Sequence, residues 1–250
     1  MILCRWEDLP ECMKLPEVKP YYDILSKKKG QLLLKRIFDF FVALVMLIVL
    51  CIPMLVISVW IKIDSKGPVF YRQERVTTNG KHFRIHKFRT MVSNADKIGT
   101  TVTVGNDSRI TRVGSKLRRV RLDELPQLID VLQGTMSFVG TRPEAVKYVE
   151  EYKPEYMATL LLPAGITSET SIYYKDEDTL LSNAENADDV YVNDVLPGKM
   201  YYNLKSIEKF SFWHDIKVMF MTFFAVLGKE YVGELSIENS SDNSAKEKVH

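Results

Sequence analysis

Two carboxylates stand side by side in Arg121-Leu-Asp-Glu-Leu-Pro126, inside a stretch otherwise crowded with cations. Leu125, Leu128, Ile129 and Leu132 recur at helical spacing, Pro126 suits only a first turn, and Gly134 is a stop signal. This pattern predicts a helix with Asp123 and Glu124 near its N-cap and N1 positions. Asp is a favoured N-cap and Glu suits the positive end of the helix dipole, so judged alone the pair is better accounted for by capping than by chemistry. The surroundings have to decide.

The approach to the pair is basic. Asp107 to Val120 reads as a loop and a helix, and Arg109, Arg112, Lys116, Arg118, Arg119 and Arg121 crowd toward Asp123. A basic helix is ordinarily a solvated face, but this one runs directly into two carboxylates and a helix start, a convergence suited to anionic substrates. Ser137-Phe-Val-Gly-Thr-Arg-Pro143 reads as a turn presenting Arg142, whose planar fork suits phosphate and equally suits a helix cap. His82 and His86 are four apart, a metal spacing on a helix. On a strand they share one face with Arg84, and without a third ligand the strand reading is preferred.

The elements that hold these residues follow from local pattern. Val69–Val76 and Lys81–Met91 read as strands joined by Thr77-Thr-Asn-Gly80, where Asn-Gly supplies the positive φ angles of a tight hairpin. Pro163-Ala-Gly-Ile-Thr167 reads as another turn, and residues 176–194 as an acidic, mostly helical or loop segment. Residues 210–227 place Trp213, Ile216, Phe220, Phe223, Phe224 and Leu227 at helical spacing. Packing into the core is the commoner origin of such a stripe, and an interfacial helix is its competitor. Residues 1–30 form an extension with no evident role, and 234–250 have the composition of a disordered tail.

The chain's 250 residues, 46% hydrophobic and 26% charged, allow one good-sized core. Cys4, Cys12 and Cys51 are odd in number and lack metal spacing, which fits a reducing, cytosolic setting. A net charge of +2 hides an asymmetry. Lys62 to Arg121 carries fifteen Lys and Arg against four acidic residues, and Glu150 to Lys199 carries eleven acidic residues against three Lys, local balances of +11 and −8. The first block calls for anions: nucleic acid, phosphorylated small molecules or lipid head groups.

Phe40 to Ile61 is an uncharged run of 22 residues, long enough to cross about 30 Å of hydrocarbon at about 1.5 Å per residue. Pro53 lies inside it, lacking an N–H and clashing with the carbonyl of Val49, so a kink or a reversal is expected. Lys27, Lys28, Lys29, Lys35 and Arg36 precede the run, and Lys62, Lys66, Arg72 and Arg75 follow it. Basic clusters favour the cytoplasmic side, so a helix that enters, bends and returns satisfies both flanks, whereas a kinked single span satisfies one. Asp39 is placed to pair with Lys35 or Arg36 at the interface.

Taken in order, Lys35-Arg-Ile-Phe-Asp39, the Pro-broken apolar helix, Gly67-Pro-Val-Phe-Tyr-Arg-Gln-Glu-Arg75, Lys87-Phe-Arg-Thr-Met91, Leu122-Asp-Glu-Leu-Pro-Gln127, Ser137-Phe-Val-Gly140, Arg142-Pro143 and Gly165-Ile-Thr167 resemble the bacterial sugar transferases. Specifically, they resemble the minimal form of the monotopic polyprenyl-phosphate phosphoglycosyl transferases. The resemblance covers about Lys35 to Gly228. It implies an α+β fold with a re-entrant N-terminal membrane helix (37–61), a small β-hairpin, a mostly helical cytoplasmic catalytic domain (31–233) and interfacial amphipathic helices. It also implies Mg²⁺, a UDP-sugar donor and undecaprenyl phosphate as acceptor at the cytoplasmic face of the bacterial inner membrane, with no nucleic acid. Asp123 takes the place of the family's nucleophile and Glu124 that of the magnesium ligand, while Lys87, Arg118 and Arg142 take substrate-binding places with Pro143 fixing the turn. Thr141 stands where the family often has Pro, and Pro163-Ala-Gly-Ile-Thr-Ser168 departs from a Pro-Gly-Ile-Thr-Gly motif. A membrane-anchored module that binds anionic lipid or a partner without catalysis is the competing class, and a soluble nucleic-acid binder a third.

Overall fold

A computed structural model describes residues 3–93, 95, 107–173 and 186–228. Within them, short helices surround two small sheets, and one long apolar helix runs along the assembly. The tail at 234–250 and residues 176–185 of the acidic segment lie outside the described residues.

Helix α1, Lys19–Ser26, leads into α2, Lys29–Asp64, which continues without interruption through Pro53. The strands β1, Phe70–Val76, and β2, His82–Phe88, pair antiparallel with Phe70 opposite Phe88 and Val76 opposite His82. Asn79 and Gly80 close the hairpin with φ of 57° and 70°, as the Asn-Gly pair predicts. Helix α3, Arg112–Arg119, is capped by Thr111, whose side chain accepts from the Gly114 N–H. A single 3₁₀ turn at Leu122–Glu124 precedes α4, Gln127–Gln133.

After Gly134, at φ 87°, come β3, Met136–Val139, and α5, Val146–Val149. A 3₁₀ stretch, Pro154–Leu161, leads to β4, Ala164–Thr167, and α6, Glu169–Tyr173. Strands β3 and β4 pair in parallel. The two segments read as turns are therefore strands that continue as loops. Their four-residue length and glycine content hide them, because Gly140 and Gly165 belong to a close backbone contact: a Cβ on Gly165 would lie 2.2 Å from the Gly140 nitrogen. Ala187–Val190 (α7), a π-turn at Tyr191–Val195 and α8, Leu196–Glu208, form one helical stretch before α9, Phe212–Val226.

The largest core joins the N-terminal segment to residues 145–210. Leu3, Leu9, Met13, Val18 and Leu25 pack with Tyr156, Leu161, Leu196, Met200 and Ile207, so the extension at 3–28 belongs to the folded body. A second core gathers Leu128, Val131, Met136, Phe138 and Val218 against Ala43 of α2, and a third sets Val113 and Leu117 of α3 on Ile57 and Ile61.

The Lys35–Asp39 motif grips this body rather than itself. Lys35 Nζ donates to Asp215 Oδ2 (2.6 Å) and to the Val139 carbonyl (2.8 Å). Arg36 donates to the carbonyls of Val131 and Leu132 at the C-terminal end of α4, where a cation is favoured. Asp39 accepts from Ser137 Oγ at 2.7 Å. The expected pairing of Asp39 with Lys35 or Arg36 is replaced by these contacts, because all three side chains face buried polar groups that need partners. The aromatic stripe of α9 also departs from core packing: Trp213, Phe220, Phe223 and Leu227 are exposed, and only Phe212, Asp215 and Val218 are buried.

Candidate functional site

Asp123 and Glu124 sit on the 3₁₀ turn, ahead of α4 rather than at its N-cap and N1. Pro126 has no N–H to give the Leu122 carbonyl, and Leu125 N–H takes that acceptor instead at 3.3 Å, tightening the turn. Arg121 enters the turn in the left-handed conformation, φ 54°, which reverses the chain between α3 and the carboxylates. The pair is therefore presented by a tight bend, and α4 proper, starting at Gln127, has seven residues.

Four elements supply the surroundings. Lys87, on β2, donates from Nζ to Glu124 Oε1 at 2.9 Å. Arg142, in the loop after β3, donates from Nη2 to the same oxygen at 2.8 Å. Arg118, near the end of α3, acts on Asp123 through its charge. The structure thus brings Asp123, Glu124, Lys87, Arg118 and Arg142 together. Of the other cations read as crowding the approach, Arg112, Lys116 and Arg119 lie on an exposed side of α3, and Arg109 binds Asp107 through Nε and Nη2.

The two carboxylates are pushed in opposite directions. Burial works against ionising Glu124, but Arg142 and Lys87 outweigh it and hold the carboxyl far below its ordinary range. Asp123 has no such clamp: burial first, and the Glu124 charge second, raise its carboxyl above the usual value, against the opposing pull of Lys87 and Arg118. Burial lowers the Lys87 ammonium despite Glu124. The anion of Glu124 is thereby favoured by its two cations, while the surroundings of Asp123 oppose its ionisation, an opposed pair of shifts of the kind that clusters at functional sites.

Arg142 is set by its neighbours. Pro143 is buried, its carbonyl accepts from Arg75 Nη1 at 3.2 Å, and the Glu144 carbonyl accepts from the Val76 N–H at 3.1 Å. The buried Glu144 carboxylate meets Lys199 Nζ at 3.0 Å and accepts from the Tyr191 hydroxyl at 2.7 Å. This strut was missed from sequence, since nothing local ties Lys199 to the Arg-Pro motif. Thr141 offers its carbonyl to the Gly165 N–H at 2.8 Å, a bond that a proline there would also accept. Ser168 caps α6 by accepting from the Ser171 N–H at 3.1 Å, a stabilising part that glycine could not play. The histidines keep to the strand: His82 meets Glu74 and His86 meets the buried Asp130.

For a metal, the carboxylate pair offers Asp123 and Glu124 Oε2 as hard oxygens, since Oε1 is taken by two cations. No group of three or more His, Cys, Asp or Glu among the described residues forms a cage. Mg²⁺ commonly uses one or two protein carboxylates and completes its octahedron with water and substrate phosphate, so the donor set fits that mode.

The family model for bacterial sugar transferases matches residues 30–229. The UDP-glucose:undecaprenyl-phosphate glucose-1-phosphate transferase of Escherichia coli K12 is 37% identical over 212 residues, covering 83% of this chain and 43% of that protein. The UDP-N-acetylgalactosamine-undecaprenyl-phosphate N-acetylgalactosaminephosphotransferase of Aeromonas hydrophila is 34% identical over 197 residues, 78% of this chain and 44% of its own length. The exopolysaccharide production protein PSS of Rhizobium leguminosarum is 44% identical over 143 residues, 54% of this chain and 72% of its own. The chain thus spans less than half of the first two relatives. With the family model covering most of its length, the chain belongs to the bacterial sugar transferase family.

Proposed function

We propose that this protein transfers a sugar 1-phosphate from a UDP-sugar to undecaprenyl phosphate, beginning the assembly of a polysaccharide or glycoconjugate. The observation that carries this reading is the unclamped, partly buried Asp123 beside a clamped Glu124, inside a ring of Lys87, Arg118 and Arg142. An anionic nucleophile approaching an anionic diphosphate needs fixed positive charge, and these three cations supply it without reorganisation.

In this reading the Asp123 carboxylate attacks the phosphorus bearing the sugar. The bond from that phosphorus to the UMP oxygen breaks, UMP leaves, and the phosphosugar stays on Asp123 as an acyl phosphate. An oxygen of undecaprenyl phosphate then attacks the same phosphorus, releasing Asp123 as carboxylate and forming the lipid diphosphate sugar. Glu124 would help hold Mg²⁺, whose charge offsets that of the diphosphate.

Residues 31–233 form the catalytic unit, and α2 lies re-entrant in the inner membrane with the site on the cytoplasmic face. Helix α2 is long and apolar enough to cross a bilayer. Yet both its ends are fastened to one folded body, through Lys35 and Asp39 early and through Ile57, Ile61 and Asp64 late. Ends fastened to one body favour one side of the membrane. The exposed aromatic face of α9 supports an interfacial position for that helix.

Incubating the purified chain with Mg²⁺, a panel of UDP-sugars and undecaprenyl phosphate is expected to release UMP. Asp123→Asn is expected to lower that release at least about a thousandfold, as loss of a covalent nucleophile does. Undiminished release by Asp123→Asn would remove Asp123 from the role.

A further inference from the structure

Helix α3 carries a second basic feature that the site does not use. Arg112, Lys116 and Arg119 recur at i, i+4 and i+7, which places them on one face, and all three are exposed. Among the described residues none of them pairs with a carboxylate. The opposite flank of α3 is apolar and fixed: Val113 and Leu117 pack on Ile57 and Ile61 of α2, and the Val113 N–H donates to Asp64 Oδ2 at 3.1 Å. Docked in this way, the cationic stripe runs beside the last turns of α2, where Val56, Val59, Trp60 and Ile63 are exposed. Lys116 Nζ lies 5.4 Å from the centroid of the Trp60 ring.

A solvated basic face has no reason to lie beside an exposed apolar one. At a membrane surface the combination is coherent, because Trp settles at the head-group level, apolar side chains continue into the acyl region, and Lys and Arg meet phosphate at the boundary. We propose that the Arg112–Lys116–Arg119 stripe docks on the head groups of anionic phospholipids beside α2. This rests on the reading that α2 lies in a bilayer. Docking there leaves the site's own cations untouched, since Arg118 leaves α3 on another side, toward Asp123.

Flotation of the full chain with vesicles of phosphatidylcholine, alone or mixed with phosphatidylglycerol, tests the proposal. The parent is expected to partition more strongly into the mixed vesicles, with the preference fading as salt rises. The variant R112Q/K116Q/R119Q is expected to lose about tenfold to a hundredfold of that preference, the scale set by three cations at an anionic surface, while binding pure phosphatidylcholine as the parent does. R112K/R119K keeps the charge and is expected to keep the preference, which separates electrostatic docking from misfolding. An undiminished preference in the triple variant overturns the proposal, as does an absent preference in the parent coupled to stripe-dependent binding of duplex DNA. Failure to float with either vesicle overturns the membrane reading and the proposal together. A stripe-dependent preference without UMP release from any nucleotide sugar supports the proposal and overturns only the transferase reading.

Discussion

Asp123 and Glu124 are adjacent in the chain yet opposite in electrostatic fate, and that contrast sets how activity depends on pH. In the proposed reaction Asp123 attacks only when ionised, and its carboxyl lies above the ordinary carboxylate range because burial and Glu124 outweigh Lys87 and Arg118. UMP release is therefore expected to fall as pH drops through this raised value, earlier than an exposed Asp near 3.9 would dictate. Lys87 helps Asp123 ionise, so Lys87→Gln is expected to move the acidic limb to higher pH and to lower the rate by about tenfold to a hundredfold. A pH–rate profile of both proteins measures this, and a limb that stays put or moves down would contradict the arrangement. At this scale the sequence was informative about identity and misleading about setting. The motif marks Asp123, Glu124, Lys87, Arg118 and Arg142, but a helix dipole acting on an N-cap Asp123 suggests an easier anion than the one the bend provides. Glu144, Lys199 and Tyr191 were illegible, because a buried strut joins residues far apart in sequence and no local pattern records it.

At the scale of elements, the site is held by strands and turns too short to announce themselves. The hairpin was legible since Asn79-Gly80 demands one geometry, and α3 as the basic helix within Asp107 to Val120, whose Thr111 cap went unread. Strands β3 and β4 were not, since four residues with a glycine inside them or just after them look like a turn until the partner strand is known. The join between α2 and this layer is polar: Lys35 is bound to Asp215 and to the end of β3, with Asp39 beside it on Ser137. Lys35→Met is expected to cost about 3–5 kcal/mol, because it leaves Asp215 charged and buried without its partner. The double variant K35M/D215L, which removes both charges, is expected to recover much of that loss. Thermal unfolding in detergent distinguishes the two, and equal loss in both would locate the effect in packing instead.

For the whole molecule, the question is how an apolar helix and a polar site share one body. An α-helix of 36 residues is about 54 Å long, enough to put its ends on opposite faces of a bilayer, yet both ends of α2 are bonded to the same folded unit. Single cysteines placed at Gln31 and Lys62, in a background without Cys4, Cys12 and Cys51, are expected to react with a membrane-impermeant thiol reagent from one side only, the same for both. Opposite-side labelling would establish a span. A helix long and apolar enough to cross a bilayer was legible in the uncharged run, while the contacts of its flanks were not, because charges such as Lys35 and Arg36 bind buried groups far away in sequence. The joining of residues 3–25 to residues 191–210 has a consequence in time. Leu3 to Leu25 have no complete core until Tyr191 to Phe210 have been synthesised, whereas the apolar run ends at Ile61, some seconds earlier at about 5–20 residues per second. The apolar helix is synthesised first and the core closes last, so, in the proposed membrane placement, the bilayer is available to α2 before the body that fastens it exists.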